Sequence, residues 1–498
     1  MEELYVGIDC GTQGTKALLI DSQGNTHGRG YSRHALIERD NGAREQEPRW
    51  WVEAAITAVQ QAIAAIPRDA CGLAPIHALA VSGQQHGLVV LDEQHQVIRP
   101  AKLWNDTETA SQNAELLERF GGAEEFYKRF GIVPLTGYTV SKLLWIAQNE
   151  PTNFGRIRHI LLPHEYLNFW LTGRRTAEFG DASGTAFFDV RTREWIRPIL
   201  DGIDGGTGQL FAALPELQGE GIIGTLVPET AAALGISAAC QVAVGGGDNM
   251  MGAIGTGNVR EGVVTLSLGT SSTVYSYSDS PAHDRTSAVA HFCSSSGGWL
   301  PLVCTMNSTN IVTGTVELMG RTVADLEDAL ESTTPGADGL VLLPFLNGER
   351  TPDLPLARGS LHGVSPVNFS QNHLMRAAVE GVTFGILNGL ELVLAGRPLA
   401  VIQVIGGGAR SRSWRQLLAD ATGATIQVPT EEEAGCLGAA IQAMAASTAD
   451  KSATFTQIVD ALVQMDESAT CPPRPELRAA YDRAREQYRH YFDKLYPC

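Results

Sequence analysis

This 498-residue sequence lacks a disulfide framework, a basic block and a long apolar run. Its eight cysteines form no CxxC pair and no metal-ligand spacing, which is typical of reduced thiols and argues against a structural zinc site. The formal net charge of −18 at pH 7, with no cluster of lysines or arginines, argues against non-specific binding to nucleic acid or to an anionic membrane.

The N-terminal segment does not have the pattern of a signal peptide. Residues 1–3 lead directly into the apolar stretch 4–8, so that no basic region precedes a hydrophobic one. No stretch reaches the roughly 18 consecutive apolar residues that cross a bilayer. We therefore expect a cytoplasmic protein that binds neither membranes nor nucleic acid.

The length and the amino-acid composition of the chain are typical of two globular domains. Hydrophobic residues make up 44% of the chain and charged residues 18%. A single core of this length would be unusual, because larger chains divide into domains of about 50–250 residues.

Two similar segments indicate an internal repeat. Residues 4–20 contain an apolar strand, the glycine turn 11–14 and a second strand, and residues 263–274 have the same form. The Gly269-Thr270 pair follows Gly11-Thr12 by 258 positions, which predicts two halves built on one plan. We place the domains at residues 1–258 and 259–498.

Strands and helices alternate in both halves. Apolar positions between 52 and 63 recur with helical spacing, and residues 76–81 form a buried strand pattern. In the second half, the strand pattern 401–405 precedes a glycine turn and a helical stripe that ends before Gly423. This alternation predicts an α/β fold.

The first hairpin carries phosphate-binding groups. A turn between Asp9 and Lys16 can direct several backbone N–H groups to one point, with a hydroxyl, an ammonium and a carboxylate beside it. The pattern is neither the GxxxxGK[ST] loop nor GxGxxG, and a glycine-threonine hairpin is also common as a plain turn. The second hairpin has Ser267 where the first has Asp9, which favours one Mg²⁺ site, at Asp9.

Two longer segments identify a family. Residues 137–149 and residues 359–380 resemble the two signatures of the FGGY family of carbohydrate kinases. With the two hairpins and the glycine turns at 245–249 and 406–410, the resemblance runs from residue 4 to about residue 447.

The resemblance implies a fold and a reaction. The fold would be α/β, with two duplicated domains like those of actin, hexokinase and the Hsp70 ATPase (ribonuclease H-like), and ATP and sugar would meet in the cleft between them. Asp248, which follows three glycines, would be the catalytic base, although an aspartate there is also a common turn or cap residue. The ATP contacts that the resemblance implies are Thr12, Gln13, Lys16, Gly269, Thr270, Gly407 and Ser411, with Mg²⁺ at Asp9.

The resemblance also implies a sugar site. Its residues would be Gln85, His86, Trp104, Asn105, Asp106 and Asn249. The Gly-Gln-Gln-His-Gly sequence around His86 resembles that of family members acting on D-xylulose more than that of glycerol kinases, which carry an Arg-Glu pair there. The partners would be a small sugar and ATP, and a homodimer is possible.

Three alternatives stay open. A nucleotide-driven switch of the actin or Hsp70 type would share the phosphate loops but would lack the two signatures. A non-catalytic sugar sensor would keep the fold without transfer. A kinase of this family could instead act on ribulose, fuculose or glycerol.

Overall fold

The computed structural model describes residues 3–68, 72–281, 288–448 and 453–497, which fall into two compact units. Unit 1 comprises Met1–Val259, Ser278–Leu300 and Glu433–Val463; unit 2 comprises Arg260–Tyr277, Pro301–Glu432 and Gln464–Cys498. Each unit is therefore assembled from separate stretches of chain. The two-domain division at residue 258 stays a prediction.

The helices and strands of unit 1 are, in chain order, β1 (Leu4–Cys10), β2 (Gly14–Asp21), β3 (Thr26–Arg33), β4 (Ile37–Glu38), β5 (Arg44–Gln46), α1 (Pro48–Ala62), β6 (Ile76–Gly83), β7 (Val89–Leu91), β8 (Ala101–Lys102), α2 (Ala110–Arg119), α3 (Ala123–Phe130), α4 (Thr139–Asn149), α5 (Pro151–Arg156), β9 (His159–Leu161), α6 (Pro163–Thr172), β10 (Thr176–Ala177), α7 (Phe179–Ser183), β11 (Phe188–Asp189), β12 (Glu194–Trp195), α8 (Arg197–Asp204), α9 (Gln209–Ala212), β13 (Glu216–Leu217), β14 (Ile222–Thr225), α10 (Pro228–Leu234), β15 (Gln241–Ala243), β16 (Gly246–Gly247), α11 (Asp248–Gly255), β19 (Ala290–Cys293), α16 (Ala434–Ser447) and α17 (Phe455–Leu462).

Those of unit 2 are β17 (Gly262–Leu268), β18 (Ser272–Ser276), β20 (Trp299–Thr305, whose first two residues belong to unit 1), α12 (Thr309–Leu318), α13 (Asp325–Glu331), β21 (Val341–Leu343), β22 (Ser360–His362), α14 (Gln371–Leu394), β23 (Leu399–Ile405), α15 (Arg412–Thr422), β24 (Thr425–Gln427) and α18 (Pro475–Leu495).

The sheet of unit 1 has the order β14-β15-β6-β1-β2-β3. The predicted hairpin is confirmed: β1 and β2 pair antiparallel with Asp9 opposite Lys16, and β6 lies parallel to β1 on its other side. Helix α16 packs very closely on β1, since a Cβ at Gly7 would lie 1.8 Å from the carbonyl oxygen of Cys436. The glycine at position 7 therefore allows the backbones of α16 and β1 to pack this closely.

The sheet of unit 2 repeats this plan. Its strands β20-β18-β17-β23-β24 follow one another, with β17 and β18 antiparallel and β23 parallel to β17. The predicted helix before Gly423 is α15, and Gly423 ends it in the left-handed conformation at φ 74°. A hairpin followed by a parallel strand beside its first strand thus forms the centre of both units, which confirms the α/β repeat.

One helix of the described residues, α14, is long and apolar enough to cross a membrane by length and composition alone. Of its apolar window, 72% is buried inside the protein, as in the core helix of a globular domain. The six cysteines of the described ranges are thiols outside any disulfide, and Cys71 and Cys498 lie outside those ranges.

Candidate active site

The first hairpin places a half-buried carboxylate at the end of β1. Ser82 Oγ donates a hydrogen bond of 2.6 Å to Asp9 Oδ1, because Asp9 and Ser82 are register partners on β1 and β6. Lys16, opposite on β2, has its Nζ 2.5 Å from Glu433 Oε2. Burial raises the pKa of Asp9, although Ser82 and Lys16 lower it. The carboxylate therefore lacks enough local positive charge to offset its burial.

The turn of this hairpin holds a hydroxyl in a fixed position. Thr12 Oγ1 accepts a hydrogen bond of 2.9 Å from Trp104 Nε1 and donates one of 3.2 Å to Gln84 Oε1. Gln46 donates from Nε2 to the Thr12 carbonyl at 2.8 Å. The side chain of Gln13, by contrast, is exposed. Thr12 and Trp104, which the resemblance assigned to ATP and to the sugar, are thus in direct contact.

Asp248 is placed by a run of glycines at the edge of the same sheet. The short strand β16 pairs with the end of β6, and Asp248 begins α11 directly after it. Gly245 has φ 71°, and a Cβ there would lie 2.3 Å from the carbonyl oxygen of Val81. A larger residue could not bring Asp248 this close to β6.

The Asp248 carboxyl has an unusual environment. Its Oδ1 accepts hydrogen bonds from the backbone N and the side-chain Nδ2 of Asn249, at 2.8 and 2.9 Å. Burial, together with the charges of Asp9 and Asp181, raises the pKa of Asp248 to about 7. A carboxyl that titrates near neutrality, with its side chain only half-buried, is suited to accept a proton at physiological pH.

Two amides continue from this carboxyl into the interior. Asn249 Nδ2 also donates to Gln85 Oε1 at 3.0 Å. Gln85 lies against Gly247, where a Cβ would be 2.8 Å from its Cγ. The Gln85 amide lies close enough to Asp181 to lower the pKa of that carboxyl, and Gln85 Nε2 makes no hydrogen bond within the part of the chain that the structure describes. Gln85, Asn249 and Asp248 form one polar group.

His86 adopts a backbone conformation that is rare for a residue with a side chain, at φ 63°. Its ring stacks on Tyr138, with centroids 4.5 Å apart and an interplanar angle of 17°. Nδ1 donates to the Gly184 carbonyl at 2.9 Å, and there is no room for a Cβ at Gly184. Donation from Nδ1 makes Nε2 the acceptor nitrogen of the neutral ring.

The segment 104–106 contains residues in different environments. Trp104 is 39% exposed, Asn105 is half-buried and Asp106 is completely buried. Asp106 Oδ2 accepts from the backbone N of Arg44 at 3.0 Å and lies 3.1 Å from Lys102 Nζ. Asp106 is therefore held by protein groups on one carboxylate oxygen, while its Oδ1 has no hydrogen-bond partner in the described residues.

Lys102 also lies within a group of acidic side chains whose spacing would suit a metal ion. Ligand atoms of Glu45, Asp106 and Glu108 lie within 4.8 Å of one another. The Lys102 ammonium lies among them, 3.2 Å from Glu45 and in contact with Glu108. The lysine supplies the positive charge at this place.

A second buried polar group, which was not predicted from the sequence, lies next to the site. His164 and Asp181 form an ion pair, both fully buried. Burial disfavours a charged His164, yet Asp181 raises the pKa of this imidazole overall. Nearby, Glu178 accepts from the backbone N of Asp181 at 3.0 Å, and burial raises its pKa to about 7. The only sequence signal was a His-Glu pair within an apolar segment.

Unit 2 brings together its own predicted residues. The Gly269 carbonyl accepts hydrogen bonds from the backbone N and the Oγ1 of Thr309, at 3.1 and 2.7 Å. The turn after β23 packs closely on the second hairpin, since a Cβ at Gly408 would lie only 2.8 Å from the Cβ of Leu268. Thr270 is exposed at the tip.

A pocket of about 510 Å³ opens beside this turn. Gly407 and Ser411 line it, together with Val312, Glu327 and Trp414. Glu327 accepts from Ser411 Oγ at 2.6 Å and from the backbone N of Ser413 at 2.9 Å. The apolar walls and the few fixed polar groups are typical of a small-molecule site.

Taken separately, unit 1 thus carries a half-buried carboxyl with a pKa near neutrality, and unit 2 a small-molecule pocket beside a glycine turn. Comparison with known proteins identifies the family. Residues 4–255 match the N-terminal domain of the FGGY family of carbohydrate kinases, and residues 264–447 match its C-terminal domain. The chain belongs to this family.

Individual relatives resemble the whole chain. The xylulose kinase of Haemophilus influenzae is 43% identical, over 99% of this chain and 100% of its own. That of Streptomyces rubiginosus is 40% identical, over 91% and 90%. A crystal structure described as a xyloylose kinase from Brucella ovis has a TM-score of 0.90 at 33% identity and covers 99% of both chains.

Proposed function

We propose that this protein transfers the γ-phosphoryl group of ATP to O5 of D-xylulose, giving D-xylulose 5-phosphate and ADP. The observation that carries the proposal is Asp248, a carboxyl near neutral pKa, joined to the amides of Asn249 and Gln85. The full-length similarity to xylulose kinases supports the choice of sugar.

Asp248 is the proposed general base. It accepts the proton of the attacking hydroxyl as the new O–P bond forms and the bond to the ADP oxygen breaks. Asn249 supports this role because both of its donors hold Oδ1, which leaves Oδ2 for the sugar hydroxyl. Phosphoryl transfer needs mainly such positioning, together with stabilisation of phosphate charge.

The proposed Mg²⁺ ligand is Asp9. Mg²⁺ is usually bound by one or two carboxylates together with substrate phosphates, rather than by a complete protein cage. Asp9 fits this pattern, since it is one half-buried carboxylate beside the Ser82 hydroxyl, and desolvation raises its pKa because local positive charge does not offset it. The ion would supply that charge and would neutralise phosphate oxygens when bound.

The proposed ATP contacts lie in both units, each considered separately. Thr12, Gln13 and Lys16 in unit 1, and Gly269 and Thr270 in unit 2, are the proposed phosphate contacts. Gly407 and Ser411 are the proposed adenosine contacts, because they line the 510 Å³ pocket.

The proposed sugar contacts are Gln85, His86, Trp104, Asn105, Asp106 and Asn249. Amide and imidazole groups both donate and accept hydrogen bonds, so that they distinguish the directions of sugar hydroxyls. His86 would offer Nε2 as an acceptor, because its Nδ1 donates to Gly184. We further propose that the protein works in the cytoplasm without nucleic acid or membrane partners, and that a homodimer is compatible with this function.

A coupled assay of ADP release over ketoses and polyols tests the proposal. We expect D-xylulose to have the highest kcat/KM, with D-ribulose lower by about tenfold or more, because one or two misplaced hydroxyls leave buried groups unpaired. A reaction without sugar is the control for plain ATP hydrolysis. A higher kcat/KM for glycerol, fuculose or ribulose would refute the choice of sugar, and the absence of any sugar-dependent ADP would favour a sensor or a switch.

A further inference from the structure

The first of the two family signatures contains a lysine for which the proposed reaction has no role. Lys142 lies in the first turn of α4 and is completely buried. Its Nζ donates to the backbone carbonyls of His86 and Gly137, both at 2.6 Å. No carboxylate of the described residues lies within ion-pair distance of it. A buried lysine that bonds only to carbonyl oxygens is uncommon, because burial disfavours its charge.

The two carbonyls belong to loops that carry proposed sugar contacts. His86 is itself a proposed contact and has the left-handed φ of 63°, which is strained for a residue with a Cβ. Gly137 packs on the loop of Trp104, where a Cβ would lie 2.1 Å from the Trp104 carbonyl oxygen. One amine therefore joins the segments that hold His86 and Trp104.

We infer that Lys142 is a positioning residue. It fixes the backbone of His86, and with it the imidazole, in the orientation that forms hydrogen bonds with the sugar hydroxyls. The inference rests on the proposed function of His86. Strained backbone persists only where neighbouring groups hold it, and the bond from Lys142 is the shorter of two side-chain bonds to this carbonyl; Thr139 Oγ1 donates the other at 3.2 Å.

The chemistry of the amine agrees with a purely structural donor. The pKa of Lys142 is lowered to about 7, mainly by burial, with a smaller opposing contribution from Asp106 and a smaller lowering one from Lys102. A neutral amine has two N–H donors, and the side chain meets two carbonyl acceptors. Lys142 makes no contact with the proposed base, so that its loss should change sugar recognition more than the transfer itself.

Steady-state kinetics of Lys142→Met test the inference. Methionine has a similar length and no donor, so we expect the KM for D-xylulose to rise about tenfold or more and the preference over D-ribulose to fall to about threefold or less. The KM for ATP should stay within about twofold. Thr139→Val is the matched control, since it removes only the longer bond to the same carbonyl, and its sugar KM should change by less than about threefold.

Combining the substitution with His86→Gly distinguishes positioning of His86 by Lys142 from a general loss of stability. In His86→Gly the backbone adopts positive φ without strain and no imidazole is present. Lys142 then has no strained backbone or imidazole at position 86 to fix. Adding Lys142→Met to His86→Gly should therefore change the sugar KM by less than about threefold, whereas an equal loss in both backgrounds, or an unchanged sugar preference in Lys142→Met, would overturn the inference.

Two further outcomes also decide the question. If Lys142→Met does not fold, Lys142→Gln keeps an amide donor and should show an intermediate sugar KM with an unchanged ATP KM; a wild-type sugar preference would overturn the inference. If the wild-type protein shows no turnover of D-xylulose, the proposed function fails and the inference fails with it. Wild-type turnover with an unaltered preference in the variants would refute the inference alone.

Discussion

Replacing Asp248 by asparagine should reduce activity and increase stability at once. The pKa of Asp248 rises from its ordinary value of 3.8 to about 7 because of burial and of nearby Asp9 and Asp181. In the folded state the ionised carboxylate is therefore disfavoured relative to the unfolded chain. Between about pH 4 and pH 7 the folded protein binds the extra proton, so that stability falls as pH rises through this window.

The size of the effect follows from the shift. At about 1.4 kcal/mol per pKa unit, the change from 3.8 to about 7 corresponds to about 4 kcal/mol, which partial exposure of the side chain reduces to about 2–3 kcal/mol. The amide that replaces the carboxyl in Asp248→Asn carries no charge at any pH. The variant should thus match the wild type near pH 4 and be more stable by this amount above pH 7, whereas kcat should fall about 10²-fold to 10⁴-fold.

Urea unfolding of both proteins between pH 4 and pH 8.5 measures the first effect, and ADP release measures the second. Asp40→Asn, at an exposed aspartate of the same unit, is the matched control and should leave stability nearly unchanged. An Asp248→Asn protein that is no more stable than the wild type at pH 8 would refute the electrostatic reasoning. Near wild-type turnover would refute the assignment of the base.

Four other predictions follow from individual contacts. Asp9→Ala should raise the Mg²⁺ concentration needed for half-maximal activity and lower turnover, and an unchanged Mg²⁺ titration would place the metal elsewhere. His86→Ala should raise the D-xylulose KM and reduce the preference over D-ribulose, as kinetics with both sugars would test. Gly407→Leu should raise the ATP KM about tenfold with little change in thermal midpoint, because its Cβ points into open space in the pocket of unit 2; an unchanged ATP KM would contradict this. Gly7→Ala should destabilise the protein by about 1–3 kcal/mol in urea unfolding, since its Cβ would meet the Cys436 carbonyl, and wild-type stability would show that α16 is packed less closely.

The sequence predicted the parts of the site that depend on local pattern. The glycine turns and the strand ends beside Asp9 and Gln85 are short-range features, because turn chemistry and alternation are encoded within a few residues, whereas the helix that begins at Asp248 was not predicted. The repeat of hairpin and parallel strand was predictable for the same reason. The family resemblance added the proposed roles of residues whose local patterns are ambiguous.

The features of the fold and of the site that were not predicted depend on contacts between positions far apart in the sequence. The pairing of His164 with Asp181, which are 17 residues apart, places a buried charge pair near Gln85 that no spacing in the sequence indicates. Lys142 is 56 residues from His86, and its burial without a carboxylate partner could not be deduced from a helical pattern. Likewise, residues 433–463 join unit 1 because α16 packs on β1 through small side chains, which a single boundary along the chain cannot express.

The central claim is transfer of phosphate to D-xylulose with Asp248 as the base. Phosphorus NMR of the products, with the wild type and Asp248→Asn incubated with MgATP and D-xylulose, tests it most directly. We expect D-xylulose 5-phosphate and ADP in equal amounts from the wild type, and the same products at least about 100-fold more slowly from the variant. Inorganic phosphate in place of a sugar phosphate, phosphate on another hydroxyl, or equal rates for the two proteins would contradict it.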